Sequence, residues 1–387
     1  MAEQLPEDVI VEILSRLPAK TVMRMKLVSK AWHHLISNVC ALRLSAAAAA
    51  HPPGFLFLCS VSKFLRPSEY DIAGYACYPD GHDCSANSDG FVDAYSSLLP
   101  FKLSTDHYFD CCNGLLLFTR REIQENSLYY YVCNPTTKQC VAIPNPRPRT
   151  YPFSASLAFD PAKSPHYKVV RFLYPEEIVS SPVKLDIFSS DTGKWVRRSA
   201  MLSIQLPPPP AGWNSCIRRS IYLDGRIYKL SVVNYLLRFD LNAHSDVAIE
   251  LPHKKVTRCY GFIGTSRGSL YYSNHDESRL MISFWLLEDR CQGDPFWTLR
   301  HRVSMDYLTS KYPEVHNSSF HFDAYAIHPA ADIVFLGIHN MVLSYDLKTN
   351  KFEEVFKMNK QTKIVCGQHF VHLFSPCYAV LSDFSNN

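Results

Sequence analysis

Five times along this chain an apolar or aromatic run ends at Asn or Asp, crosses a short polar turn and resumes as a second β-rich run. The turns begin at Asn134 (YYYVCNPTTKQCVAIP), Asp191 (LDIFSSDTGKWVRR), Asp240 (LLRFDLNAHSDVAIELP), Asp289 (FWLLEDRCQGDPFWTLRHRV) and Asp346 (VLSYDLKTNKFEEVF). Their intervals are 57, 49, 49 and 57 residues, with a mean of 53. Asn, Asp, Gly and Thr suit such turns because they tolerate left-handed backbone or hydrogen-bond nearby amides. A period near 50 residues is that of kelch-type repeats, in which each unit is one four-stranded blade. Residues 55–387 have room for about six units, inside the range of roughly 4–8 that closes a propeller. Closure also removes the sheet edges that so many strands would otherwise expose. The expected architecture is an all-β propeller of six blades, with seven as the alternative. The terminal stretch HFVHLFSPCYAVLS is placed to complete the first blade.

Sustained helical periodicity is confined to the N-terminus. In LPEDVIVEILSRLPAKTVMRMKLVSKAWHHLISNV, residues 5–39, Val9, Ile10, Ile13, Leu14 and Leu17 recur at helical spacing and define one apolar face. Pro6 suits the first helical position, and Glu7, Asp8 and Glu12 put negative charge where the helix dipole favours it. Pro18 ends this helix and opens a second that carries Val22, Met23 and Leu27. Ser29 is expected to cap a third, with Val28, Ala31, Trp32, Leu35, Ile36 and Val39 on one face. Domains below about 40 residues usually need a disulfide, a metal or a partner to stay folded. Cys40 is the one cysteine nearby, so the expected remedy is another protein. Ala46–Ala50 can extend the last helix, and His51-Pro52-Pro53-Gly54 ends it. The expected division is a helical module over 1–44, a connector over 45–54 and the β domain over 55–387.

The order Leu5-Pro6, Ile10, Ile13-Leu14, Leu17-Pro18, Val28-Ser29-Lys30, Trp32 and Ile36 resembles the F-box. That resemblance implies docking on the Skp-type adaptor of cullin-RING ubiquitin ligases through Leu5, Pro6, Ile10, Ile13, Leu14, Leu17, Pro18, Val28 and Trp32. Further on, Cys112-Asn113-Gly114-Leu115-Leu116 leads into Asn134-Pro135-Thr136-Thr137-Lys138-Gln139. Phe159-Asp160 then precedes Tyr167-Lys168-Val169-Val170. These segments are similar to the F-box-associated domain of plant F-box proteins, which implies a substrate-recruiting propeller behind an adaptor-binding box. The expected fold class is an α+β multidomain chain, a small three-helix F-box followed by the all-β propeller.

Composition narrows the function further. Hydrophobic residues make 47% of the 387 and charged residues 20%, enough apolar material for a substantial core. A net charge of +4 gives no strong draw to nucleic acid or anionic membrane. The opening MAEQLPEDV is acidic and lacks an apolar core, so no secretory signal is expected, and no apolar run reaches membrane-spanning length. The expected location is cytoplasm and/or nucleus. The thirteen cysteines form no C-x-x-C, so they are expected as reduced thiols, with Cys111 and Cys112 buried beside an apolar strand. Cys77, His82, Asp83 and Cys84 hint at metal chemistry, but a second ligand pair is missing, and neither metal nor cofactor is expected.

Gly264-Thr265-Ser266-Arg267-Gly268 matches the G-x-S-x-G nucleophile elbow, which requires a strand followed by a helix. Ser269-Leu270-Tyr271-Tyr272-Ser273 follows instead, so a hairpin turn is expected, and no convergent catalytic set is present. Three segments stand out as target-contacting loops held by a rigid scaffold: 66–91 with Tyr78, 205–213 with Trp213 and 306–320 with Tyr312. The expected role is a non-catalytic receptor that binds adaptor and, through it, cullin and RING subunits, and presents an unidentified protein substrate. The alternative is an adaptor-bound scaffold or competitor that does not direct degradation.

Overall fold

A computed structural model describes residues 5–52, 54–60, 72–77, 98–101, 109–122, 127–146, 152–173, 183–204, 219–231, 233–243, 245–252, 261–276, 281–289, 294–312, 323–338, 341–357, 363–364, 371–382 and 384. The N-terminal helices are α1 (Glu7–Ser15), α2 (Ala19–Met25), α3 (Lys30–Leu35) and α4 (Ala41–Ala50), with one π-helical turn, Ile36–Cys40, between α3 and α4. Pro6 and Pro18 sit at the N-cap positions of α1 and α2. Ser29 caps α3 as expected, its side chain accepting from the Trp32 amide at 3.2 Å. Ser29→Ala should therefore cost about 1 kcal/mol of helix stability, read as an earlier denaturant midpoint of the 222 nm signal.

Val11, Leu14, Val22, Leu35, Ile36, Cys40 and Leu44 form the helical core. This splits the expected α1 stripe. At about 100° per residue, the residues from Val9 through Ile13, Leu17, Ile10 and Leu14 to Val11 sweep an apolar arc of roughly 200°. Only its Leu14–Val11 edge is buried, while Val9 and Ile13 face outward.

The β domain begins with β1 (Gly54–Ser60) and β2 (Ile72–Cys77), so part of the 66–91 segment is strand. Five sheets of consecutive strands follow. The first holds β3 (Phe109–Cys112), β4 (Leu115–Glu122), β5 (Ser127–Asn134) and β6 (Gln139–Ile143). The second holds β7 (Pro152–Ala158), β8 (Lys168–Leu173), β9 (Val183–Ser189) and β10 (Lys194–Ala200). The third holds β11 (Ser220–Leu223), β12 (Arg226–Leu230), β13 (Tyr235–Asp240) and β14 (Val247–Glu250). The fourth holds β15 (Phe262–Ser266), β16 (Ser269–Asp276), β17 (Met281–Glu288) and β18 (Phe296–Ser304). The fifth holds β19 (Asp323–Ile327), β20 (Ile333–Ile338), β21 (Met341–Asp346) and β22 (Lys351–Lys357). A composite sheet joins β1 and β2 to β23 (Lys363–Ile364) and β24 (Val371–Phe374), with Gly54 opposite Phe374 and Phe57 opposite Val371. The C-terminal stretch thus does pair with the first strand of the domain. A six-residue helix, α5 (Asp306–Lys311), lies within the expected 306–320 loop, so helix is not confined to the N-terminus.

Each recurring turn joins the third and fourth strands of one sheet, and in three of the five the leading Asn or Asp caps the turn locally. Asn134 Oδ1 accepts from the Thr136 and Thr137 amides, Asp240 Oδ1 from Asn242 and Ala243, and Asp346 Oδ1 from Lys348 and Thr349. The hairpins between first and second strands use Asn113-Gly114, Asp224-Gly225 and Arg267-Gly268, each pair at positive φ. Such two-residue turns match the twist of the strands they join. The G-x-S-x-G match is therefore the β15–β16 hairpin. Neighbouring sheets are stapled by side chains: Trp195 Nε1 donates to the Pro144 carbonyl, and Trp297 Nε1 to that of Glu250.

Ala46–Ala50 extend the last helix, α4, which ends at His51, and Ser45 Oγ within it accepts from the Tyr378 amide at 2.8 Å, so residues 45–50 are docked helix. One expectation is corrected. Cys133 and Cys140 are joined as a disulfide rather than standing as separate thiols. They are directly opposed on β5 and β6 with Cα atoms 4.0 Å apart, a proximity set by hairpin register and invisible to a search for C-x-x-C.

Candidate docking site

The helical module presents apolar side chains that no described residue covers. Leu5 is 59% exposed, Val28 67% and Leu27 90%; Val9, Ile13 and Val39 are also exposed. Leu27 and Val28 lie in the turn between α2 and α3, where the backbone must reverse and the side chains are carried outward. Of the residues expected at the adaptor interface, Leu5, Pro6, Ile13, Pro18 and Val28 are exposed, while Ile10, Leu17 and Trp32 are half-buried against the helical core. Leu14 is corrected: it is 2% exposed and packs inside the module. Val9 and Leu27 belong to the exposed set as well. Both were legible as apolar residues of the helical pattern, but the resemblance did not assign them to the interface.

A second constellation occupies the axis of the β domain. The strands β3, β7, β11, β15, β19 and β24 neighbour one another in that order, and β24 returns to β3. Between them lies a cavity of about 140 Å³ lined by Cys111, Leu157, Ser220, Phe262, Ala326 and Leu373, one residue from each. Ala49 and Pro52 line it too, beside Asn113 and Ser375, so α4 ends over one mouth of the channel.

Two charged groups hold this axis. Asp110 on β3 is 2% exposed; its Oδ2 accepts from the Leu157 amide of β7 at 2.8 Å and from Ser220 Oγ of β11 at 3.3 Å. Burial pushes its carboxyl up to about 6. Those hydrogen bonds and the nearby Lys229 charge oppose the rise. Arg219, immediately before β11, donates through Nη1 to the carbonyls of Tyr325 on β19 and Val371 on β24, at 3.1 and 3.3 Å. Its guanidinium lies 4.2 Å from the centre of the Phe262 ring on β15. Desolvation lowers it to about 10, against the attraction of Asp110. The two side chains together touch every inner strand. Neither was singled out from the sequence, because nothing local to Asp110 or Arg219 marks them.

Burial also raises the thiols of Cys111, to about 12, and Cys112, so these cysteines are held as neutral thiols. Among the described residues no group of three or more His, Cys, Asp and Glu is gathered as for a metal, and no helix is long and apolar enough to cross a membrane. Tyr78, Trp213, the 205–213 segment and His82 to Cys84 lie outside the described residues. Tyr312 is corrected: it is 8% exposed and belongs to the core packed around Leu308 and Met305, because α5 turns it inward.

Residues 3–44 match the F-box domain, and residues 87–377 match the family described as F-box protein At3g26010-like, beta-propeller. F-box protein At5g07610 of Arabidopsis thaliana is 27% identical over 98% of this chain and 92% of its own length. Putative F-box protein At1g47790 of the same plant is 24% identical over 90% of this chain and 84% of its own. Among solved structures, TolB from Acinetobacter baumannii aligns with 80% of this chain and 66% of its own at a TM-score of 0.44 and 9% identity. The two matched segments fall on the exposed helical module and on the ring with its charged axis: the chain belongs to the plant F-box proteins that carry a C-terminal At3g26010-like β-propeller.

Proposed function

We propose that this chain is the substrate-recognition subunit of an SCF-type cullin-RING ubiquitin ligase. The observation that carries this reading is the exposure of Leu5, Val9, Ile13, Leu27 and Val28 on a module that matches the F-box, with no cover among the described residues. A Skp-type adaptor covering these side chains would recover the burial the module lacks, and would bring cullin and RING subunits with it. The propeller would hold a target protein, and the chain's contribution to ubiquitin transfer would be proximity of the target lysine. We read the domain as six blades, five of consecutive strands and one composite, a count supported by the six sheets and the cyclic order of their inner strands. The division at 1–44, 45–54 and 55–387 stays useful if 45–50 is read as part of the helical module. The ligase reading places the protein in the cytoplasm and/or nucleus.

Burying a Leu or Ile side chain is worth roughly 1.5–3 kcal/mol, and interface energy concentrates in a few apolar anchors. Leu5→Ala with Pro6→Ala, or Leu27→Ala alone, should weaken adaptor binding at least ten-fold, about 1.4 kcal/mol. Titration of purified adaptor into the full chain measures this, and an unchanged Kd in both variants removes the assignment.

A further inference from the structure

We propose that the NGLL and NPTT turns hold residues 375–382 as a strap that bolts the helical module to the propeller, with Ser45, Asn134, Thr136 and Gln139 as positioning residues. Its consequence for ubiquitin transfer rests on the ligase reading above; the strap itself does not.

After β24 the chain runs on past Phe374 with no ladder partner, so its backbone groups need others. One turn supplies them. The Cys377 amide donates to Thr136 Oγ1 at 3.1 Å, Asn134 Nδ2 donates to the Ala379 carbonyl at 2.8 Å, and the Leu381 amide donates to Gln139 Oε1 at 3.1 Å. Asn134 is fixed for this task because its Oδ1 is already engaged in its own turn. Thr137 Oγ1 steadies Gln139 Oε1 at 2.9 Å in the same way.

Residues 377, 379 and 381 alternate, as an extended chain requires, and all three bury in the ring core, followed by Phe384 edge-on to Phe188 at 5.2 Å. The residue between the first two points the other way: Tyr378 packs on the helical core, and its amide donates to Ser45 Oγ. That hydroxyl in turn donates to the Ala41 carbonyl one helical turn back. Leu42 of α4 packs on the same ring cluster as the strap. Gly114, at φ +85°, permits the approach, since a Cβ there would collide with the Ser375 carbonyl. The strap is thus gripped by the ring on one side and by α4 on the other. The module cannot swing about His51 and Pro52, and the adaptor surface keeps a fixed distance from the propeller.

The test uses the full chain without adaptor. Gln139→Leu should speed hydrogen exchange of the Leu381 amide at least ten-fold, while Gln139→Glu, which keeps an acceptor, should leave it near the parent. Ser45→Ala should do the same for the Tyr378 amide. Deletion of 375–387 should split one cooperative melt into separate helical and β transitions and enlarge the maximum dimension in small-angle scattering. Unchanged exchange in Gln139→Leu and Ser45→Ala overturns the proposal, as does a single transition with unchanged scattering after the deletion. If the deletion does not fold, the two substitutions decide. Adaptor affinity of the parent is measured separately, so its absence would remove the ligase reading and leave these readouts standing.

Discussion

A chain ending at residue 368 should be insoluble, or should melt more than 10 °C below the parent. The missing segment carries β24, which pairs with Gly54–Phe57 and sits between β19 and β3 on the axis. Its removal strips β1 of that inner partner and opens the ring at that point, exposing sheet edges rather than trimming one end. It also takes away Val371, Phe374, Leu381 and Phe384, all buried in the parent. At roughly 1.5–3 kcal/mol each, their burial alone is on the order of 10 kcal/mol, comparable with the whole stability of an ordinary domain. Thermal melts of the two chains at equal concentration make the comparison. A soluble, cooperative melt within a few degrees of the parent would mean that the ring does not depend on its last strand.

Replacing Arg219 with Met is expected to cost about 3–5 kcal/mol, the usual penalty when one partner of a buried charged set is removed. The substitution deletes the two hydrogen bonds to β19 and β24 and the contact with the Phe262 ring, and it leaves Asp110 a weaker positive environment. Asp110 adds a pH dependence of definite sign. Its folded pKa, about 6, lies above the unfolded value near 3.9, so the folded state holds the proton more tightly. Its contribution to stability is full below about pH 4 and is lost as pH rises through about 6, on the order of 3 kcal/mol in all. Other carboxylates act oppositely: Asp240 and Asp332 are held below their ordinary values by hydrogen bonds and neighbouring cations. The check is therefore a difference: denaturant stability of the parent minus that of Asp110→Asn, from pH 4 to 7. The difference should fall with pH, and a flat line would place Asp110 in an environment unlike the one described.

What the sequence disclosed follows from how local each signal is. The turns at Asn134, Asp240 and Asp346 were legible because their chemistry closes within three residues, side-chain oxygen to amide. The Arg267-Gly268 hairpin was legible for the same reason. Helical periodicity revealed the apolar arc of α1 but not which edge turns inward, since that depends on α2 and the π turn, and so Leu14 was misplaced. Tyr312 looked like a loop aromatic because α5 is too short to show a repeat. The axis was out of reach: Asp110 meets Leu157 and Ser220, and Arg219 meets Tyr325 and Val371, across gaps that only the closed fold spans.

The pairing of Gly54 with Phe374 also orders events during synthesis. The helical module is complete once about fifty residues have left the ribosome, whereas β1 must wait for more than three hundred further residues before its inner partner exists. Contacts of such separation form late and slowly. A nascent chain therefore displays its apolar helical edge well before its propeller can close. Early capture of that edge by another protein would shield it during the interval when an unfinished β domain is most prone to aggregate.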